Sequence, residues 1–208
     1  MVPCVTFVRI PKNASTSIYE SLGTKNTIRD EKLVSFSQRH YGRYKEVLPP
    51  SHCLLSEAII ELGEEILNFP SFAVVRNPFC RMVSMYAFSI KSRVLHIYTN
   101  KIPSFLDFCS LFLQQQEEND GTFFPAFTQK SYITLGDGVG VNKILRLENL
   151  DKEFKNFIIE YSLTDIIQEL PHTNSTTHES YTSYYCTESK KIVKKLWKED
   201  LDEFKYTF

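Results

Sequence analysis

Short apolar runs alternate along this chain with longer stretches whose apolar positions recur every three or four residues. That alternation predicts strands separated by helices. Residues 5–10 are β-rich and read as a strand. They run into the polar turn Pro11-Lys12-Asn13-Ala14-Ser15-Thr16-Ser17. Ile18 and Leu22, four apart, then mark the buried face of a helix, with Gly23 as its stop. Residues 24–50 are polar and irregular, with one candidate short strand at 33–36. Residues 56–67 read as a helix with Leu55, Ile59, Leu62 and Ile66 on one face. Residues 72–76 form a wholly apolar strand ending in a cation, as a parallel sheet covered on both faces requires. Asn77-Pro78 breaks it, and 79–90 continue as a helix with Pro78 near its first turn. Further helices are expected at 102–116, capped by Ser104, at 150–161, and at 188–201 with lysines outward. A third strand at 143–147 follows the turn Gly136-Asp137-Gly138, and 171–178 is a polar loop.

Strands alternating with helices predict an α/β fold with a mainly parallel β-sheet flanked by helices. Ligands bind such sheets at the carboxyl ends of the strands. Two of those ends carry candidate chemistry, Lys12 with its neighbouring hydroxyls and Arg76. The length of 208 residues suits a single domain, and 42% hydrophobic against 24% charged residues allows a sizeable core. A net charge of −1 supplies no global field toward nucleic acid or membrane, so a bound anion must be held by local groups. The five cysteines are scattered and unpaired in spacing, which argues against a disulfide framework or a zinc site. The first ten residues lack a basic segment followed by an apolar one, and no run of about 18 apolar residues occurs. A cytoplasmic location is the expectation.

A strand-turn-helix presents unbonded N–H groups where the helix begins, and these favour an anion. Here the turn adds a mobile cation, Lys12, and three hydroxyls, from Ser15, Thr16 and Ser17. Helix capping by a hydroxyl is the plainer use of the same residues. The spacing does not fit the nucleotide-binding pattern GxxxxGK[ST], since no glycine precedes Lys12. Instead, residues 11–17 resemble the 5′-phosphosulfate loop of sulfotransferases that use 3′-phosphoadenosine 5′-phosphosulfate (PAPS), with Asn13 and Ala14 where Thr-Gly is commoner.

A second stretch, Val74-Val75-Arg76-Asn77-Pro78 with Arg81 and Ser84, is similar to the 3′-phosphate motif of the same family. A planar guanidinium leaving a strand end matches a phosphate with two parallel bonds, and a serine on the next helix can donate to it. Softer matches follow at Gln129 with Tyr132, at 144–150, at 170–175 with Tyr181 and Tyr185, and at 200–206. The resemblance covers nearly the whole chain and points to the carbohydrate-type, family 2-like branch. It implies the P-loop NTPase-like sulfotransferase fold, PAPS as donor with adenosine 3′,5′-bisphosphate (PAP) as product, no metal, and an acceptor with a hydroxyl such as a glycan. It also implies that Pro11, Lys12, Asn13, Ala14, Ser15, Thr16, Ser17, Arg76, Ser84 and Tyr181 hold the donor.

Sulfuryl transfer asks for a base to take the acceptor proton and a cation at the leaving oxygen. Lys12 is the cation. His52 is the first candidate for the base, because residues 52–76 resemble a family segment with a His, a helix ending Leu-Gly-Glu-Glu, and the 3′-phosphate Arg. His40 is the second, in the same irregular region, and Glu57 is a carboxylate alternative. Two rival classes share the strand-loop-helix logic. One is a P-loop kinase-like phosphotransferase, which would use Mg²⁺. The other is a non-catalytic nucleotide-binding relative.

Overall fold

A computed structural model describes residues 5–22, 33–35, 52–91, 102–118, 127–164, 170 and 180–208. Two compact units emerge, one from Met1–Val75 with Ser131–Ser175 and one from Arg76–Lys130 with Thr176–Phe208.

The first unit is built on a four-stranded parallel sheet of β1 (Val5–Val8), β2 (Leu33–Ser35), β3 (Ser71–Val75) and β6 (Lys143–Arg146), in the order β2-β1-β3-β6. Helix α1 (Ser15–Ser21) follows β1, α2 (Leu55–Leu62) precedes β3, and α6 (Leu150–Glu160) follows β6. Successive strand residues face opposite sides of a sheet. Val5, Phe7, Phe72, Val74 and Leu145 share one core with Ile18 and Leu22 and with Phe154 and Phe157 of α6. Thr6, Val8, Ala73 and Val75 must therefore face the other way, and all four are buried too. Thr6 shows how a polar side chain is accommodated there: its hydroxyl donates to the Ile66 carbonyl at 2.7 Å. Both faces are covered, as the unbroken apolar runs predict. The register of β6 on β3 is pinned at one end, where the Asn142 carboxamide oxygen accepts from both Ser71 N–H and Ser71 hydroxyl, each at 2.8 Å.

Two expectations need correction in this unit. The helix expected over 56–67 is two pieces, α2 and a 3-10 turn Glu64–Asn68, because Gly63 has φ of 88° and ends the first. The turn at Gly136-Asp137-Gly138 is where the sequence places it, and it closes a small antiparallel hairpin of β4 (Thr134–Leu135) and β5 (Gly138–Val139), reached from α5 (Gln129–Ile133). The strand expected to end at residue 76 ends at Val75, so Arg76 has already left the sheet.

The second unit is helical. It contains α3 (Pro78–Lys91), α4 (Phe105–Glu118), α7 (Thr187–Leu196) and α8 (Lys198–Phe204). Phe79, Met82, Val83, Phe105, Phe108, Val193 and Trp197 make up its core. Ser104 does cap α4: its hydroxyl accepts Asp107 N–H at 3.1 Å and donates to the Asp107 carboxylate at 2.6 Å. The single helix expected over 188–201 is instead two, since Trp197 leaves helical geometry with φ of −123° while its ring is fully buried. Among the described residues, no helix is long and apolar enough to cross a membrane.

Candidate functional site

The strand order decides where a ligand belongs. The chain goes from β1 outward to β2, then returns past β1 to form β3 on its other side. The connection reverses between β1 and β3, and at such a reversal the loops beyond the carboxyl ends separate and open a crevice. The Lys12 turn follows β1, and Arg76 is the next residue after β3.

The turn after β1 is held in an unusual conformation. Lys12 and Ala14 both have left-handed backbones, with φ of 69° and 55°. Each such residue with a Cβ costs about 1–2 kcal/mol. Something must hold the turn against that strain, and Asn13 is that residue. Its buried carboxamide donates from Nδ2 to the Val74 carbonyl at 2.7 Å, tying the turn to β3. A left-handed φ at 14 suits glycine, the commoner residue at that place in the loop these residues resemble. Ser15 is buried, Ser17 and Lys12 are half-buried, and Thr16 is exposed. Helix α1 has only seven residues, so its dipole is weak, and anion attraction falls on Lys12, the hydroxyls and the N–H groups of the turn itself.

His52 stands next to this turn. Its Nδ1 lies 2.9 Å from the carbonyl oxygen of Arg9, three residues before Lys12. A carbonyl can only accept, so Nδ1 carries the hydrogen, and Nε2 is left as the acceptor nitrogen of the neutral ring. Arg9 itself lies over the Tyr19 ring, its guanidinium carbon 4.8 Å from the centroid. Burial lowers its affinity for a proton, and Tyr19 partly opposes that. Glu57 serves the backbone instead, since its carboxylate accepts Leu54 N–H at 2.8 Å at the start of α2. His40 lies outside the described residues, as do His96, His172 and His178.

In the second unit, Arg76 is fixed through its main chain by Gln129. The Gln129 carboxamide accepts Arg76 N–H at 2.8 Å and donates to the Arg76 carbonyl at 2.8 Å. Gln129 is in turn held by Asp200, whose two carboxylate oxygens accept Gln129 N–H at 2.8 Å and Lys130 N–H at 2.9 Å. Asp200 faces Arg81 at 3.9 Å, both fully buried. Arg81 also donates to the Phe127 carbonyl at 2.9 Å and lies over Trp197, 4.7 Å from the ring centre. Burial pushes the Asp200 carboxyl above its ordinary value, while Arg81 and the two backbone N–H groups pull it back. Arg81 is therefore the interior partner of a buried ion pair.

Asn77 divides its side chain between two partners. Its Oδ1 caps α3 by accepting Phe79 N–H at 3.0 Å, and its Nδ2 donates to the Thr207 carbonyl at 2.8 Å. Ser84 lies buried on α3. Tyr181 begins a short 3-10 turn and meets Phe208 edge-on at 5.6 Å. The thiols of Cys53 and Cys109 are pushed up to about 12 by burial, consistent with small core residues.

Sequence reasoning noticed Gln129 and Asp200 only as parts of soft matches. Their joint hold on Arg76 could not be read from a chain that separates them by 71 residues. The Asn13 tether to β3 left no local signal either.

A family profile described as "Sulfotransferase family" matches residues 4–207. No curated protein and no solved structure matches the chain. A profile spanning almost every residue leaves one assignment: the chain belongs to the sulfotransferase family.

Proposed function

We propose that this protein transfers the sulfuryl group of PAPS to a hydroxyl of an acceptor such as a carbohydrate, by in-line displacement. In this reading the Lys12 turn takes the 5′-phosphosulfate, and Arg76 with Ser84 takes the 3′-phosphate. The observation that carries it is the strained turn at residues 12–14, bonded to β3 at a topological switch point. Strain of this kind is kept where it holds donors in place for a ligand. The donor set also fits a phosphosulfate: one ammonium, three hydroxyls and a rigid run of backbone N–H groups, with no acceptor-only side chain in the turn.

The division of labour follows from the groups. Charge grows on the bridging oxygen of the leaving nucleotide, and the Lys12 ammonium stabilises it more than the ground state. The acceptor must lose its hydroxyl proton as the new S–O bond forms, and His52 Nε2 takes it, with Nδ1–H anchored on the Arg9 carbonyl. Pro11, Asn13, Ala14, Ser15, Thr16 and Ser17 shape or line the phosphosulfate cradle, and Tyr181 contributes to holding the nucleotide. His40 is the alternative base.

A thermal shift separates this reading from a kinase. PAP at about 100 times its dissociation constant stabilises the native state by about 2.7 kcal/mol. The expected outcome is a raised melting temperature with PAP and none with ADP–Mg²⁺ at the same concentration. Stabilisation by ADP–Mg²⁺ alone refutes the proposal.

A further inference from the structure

Gln129 fixes the backbone of Arg76 but not its guanidinium, which hangs on a long flexible stem. The side chain finds a second anchor one helical turn along. Arg76 Nε lies 3.2 Å and Nη2 2.8 Å from the sulfur of Cys80, so two N–H donors of the fork converge on one thiol. Cys80 sits in the first turn of α3, whose start is held by the Asn77 cap and by the Arg81 N–H bond to the Asn77 carbonyl at 2.9 Å. The anchor is therefore on a rigid element rather than a loop.

The chemistry of the anchor matters. A thiol sulfur accepts hydrogen bonds weakly and in its protonated form adds no charge. A carboxylate at the same place would orient the guanidinium equally well, but it would form a charge-assisted pair with which an incoming phosphate would have to compete. We propose that Cys80 is a positioning residue that sets the Arg76 guanidinium for the donor's 3′-phosphate without cancelling its charge. This rests on the role proposed above for Arg76. Cys80 acts through Arg76 and touches no reacting atom.

Isothermal titration with two nucleotides isolates the effect. PAP and adenosine 5′-phosphate differ in the 3′-phosphate, so the ratio of their affinities reports on Arg76. Cys80→Ala lowers that ratio by about three- to tenfold, the range for leaving one long side chain to be ordered on binding. Its affinity for adenosine 5′-phosphate stays within about twofold of wild type, which shows that the fold and the rest of the site are intact. Cys80→Ser keeps an acceptor at the position and retains most of the ratio, whereas Cys80→Asp lowers it at least as far as Ala. A Cys80→Ala variant with the full wild-type ratio overturns the inference. Wild-type protein that binds the two nucleotides equally strikes down the Arg76 assignment instead, so the two failures are told apart.

Discussion

Ala14 offers the sharpest test at the level of one residue. Its left-handed φ of 55° disfavours any side chain, yet Ile18 N–H bonds to its carbonyl at 3.1 Å as the first turn of α1 forms. Glycine at this position relieves the strain and loses more entropy on folding, and the first effect is larger. Ala14→Gly is expected to stabilise the protein by about 0.5–1 kcal/mol, read from the midpoint of a urea transition. A lower midpoint would mean that the turn is not strained. At the same scale the sequence offers the candidate site residues directly. Lys12 and Arg76 stand out because a cation follows an apolar run, whereas His52 is singled out only by the family segment that residues 52–76 resemble. What was hidden is what holds them. The Asn13 bond to Val74 and the Gln129 clamp on Arg76 join residues 61 and 53 positions apart, and no local pattern encodes such a pairing.

The elements follow from periodicity where one face is buried, and depart from it where a single backbone angle intervenes. Strands β1 and β3 lie almost where the apolar runs predict, since both faces of the sheet are covered and the one polar side chain inside β1, Thr6, has its own hydrogen-bond partner. The long helices α3 and α6 fall within one or two residues of expectation. The errors fall at Gly63, whose positive φ ends α2, and at Trp197, which divides α7 from α8. That division puts Asp200 on its own short helix, with its carboxylate on Gln129, Lys130 and Arg81. Asp200→Ala deprives the buried Arg81 guanidinium of its carboxylate and the two N–H groups of their acceptor. A loss of about 3–5 kcal/mol is expected in chemical denaturation. Asp200→Asn, which keeps one acceptor oxygen, should lose less. Equal and small losses in both variants would show that the ion pair does not organise the helical unit.

For the whole molecule, the family and the α/β fold were readable from motif order and strand-helix alternation, and the profile match over residues 4–207 bears out both. The β2-β1-β3-β6 order was not readable, because strand sequence alone does not say on which side of β1 the chain returns. Yet it is this order that creates a switch point beside the Lys12 turn. The central claim is that the Lys12 turn and Arg76 each take one phosphate of a single adenine nucleotide donor. Isothermal titration of wild type, Lys12→Ala and Arg76→Ala with PAP, adenosine 5′-phosphate and adenosine 3′-phosphate tests it in one experiment. Wild type is expected to bind PAP tightest. Lys12→Ala should lose the gain from the 5′-phosphate and keep that from the 3′-phosphate, and Arg76→Ala should do the reverse. Substitutions that weaken all three ligands alike, or that leave both gains intact, would contradict it.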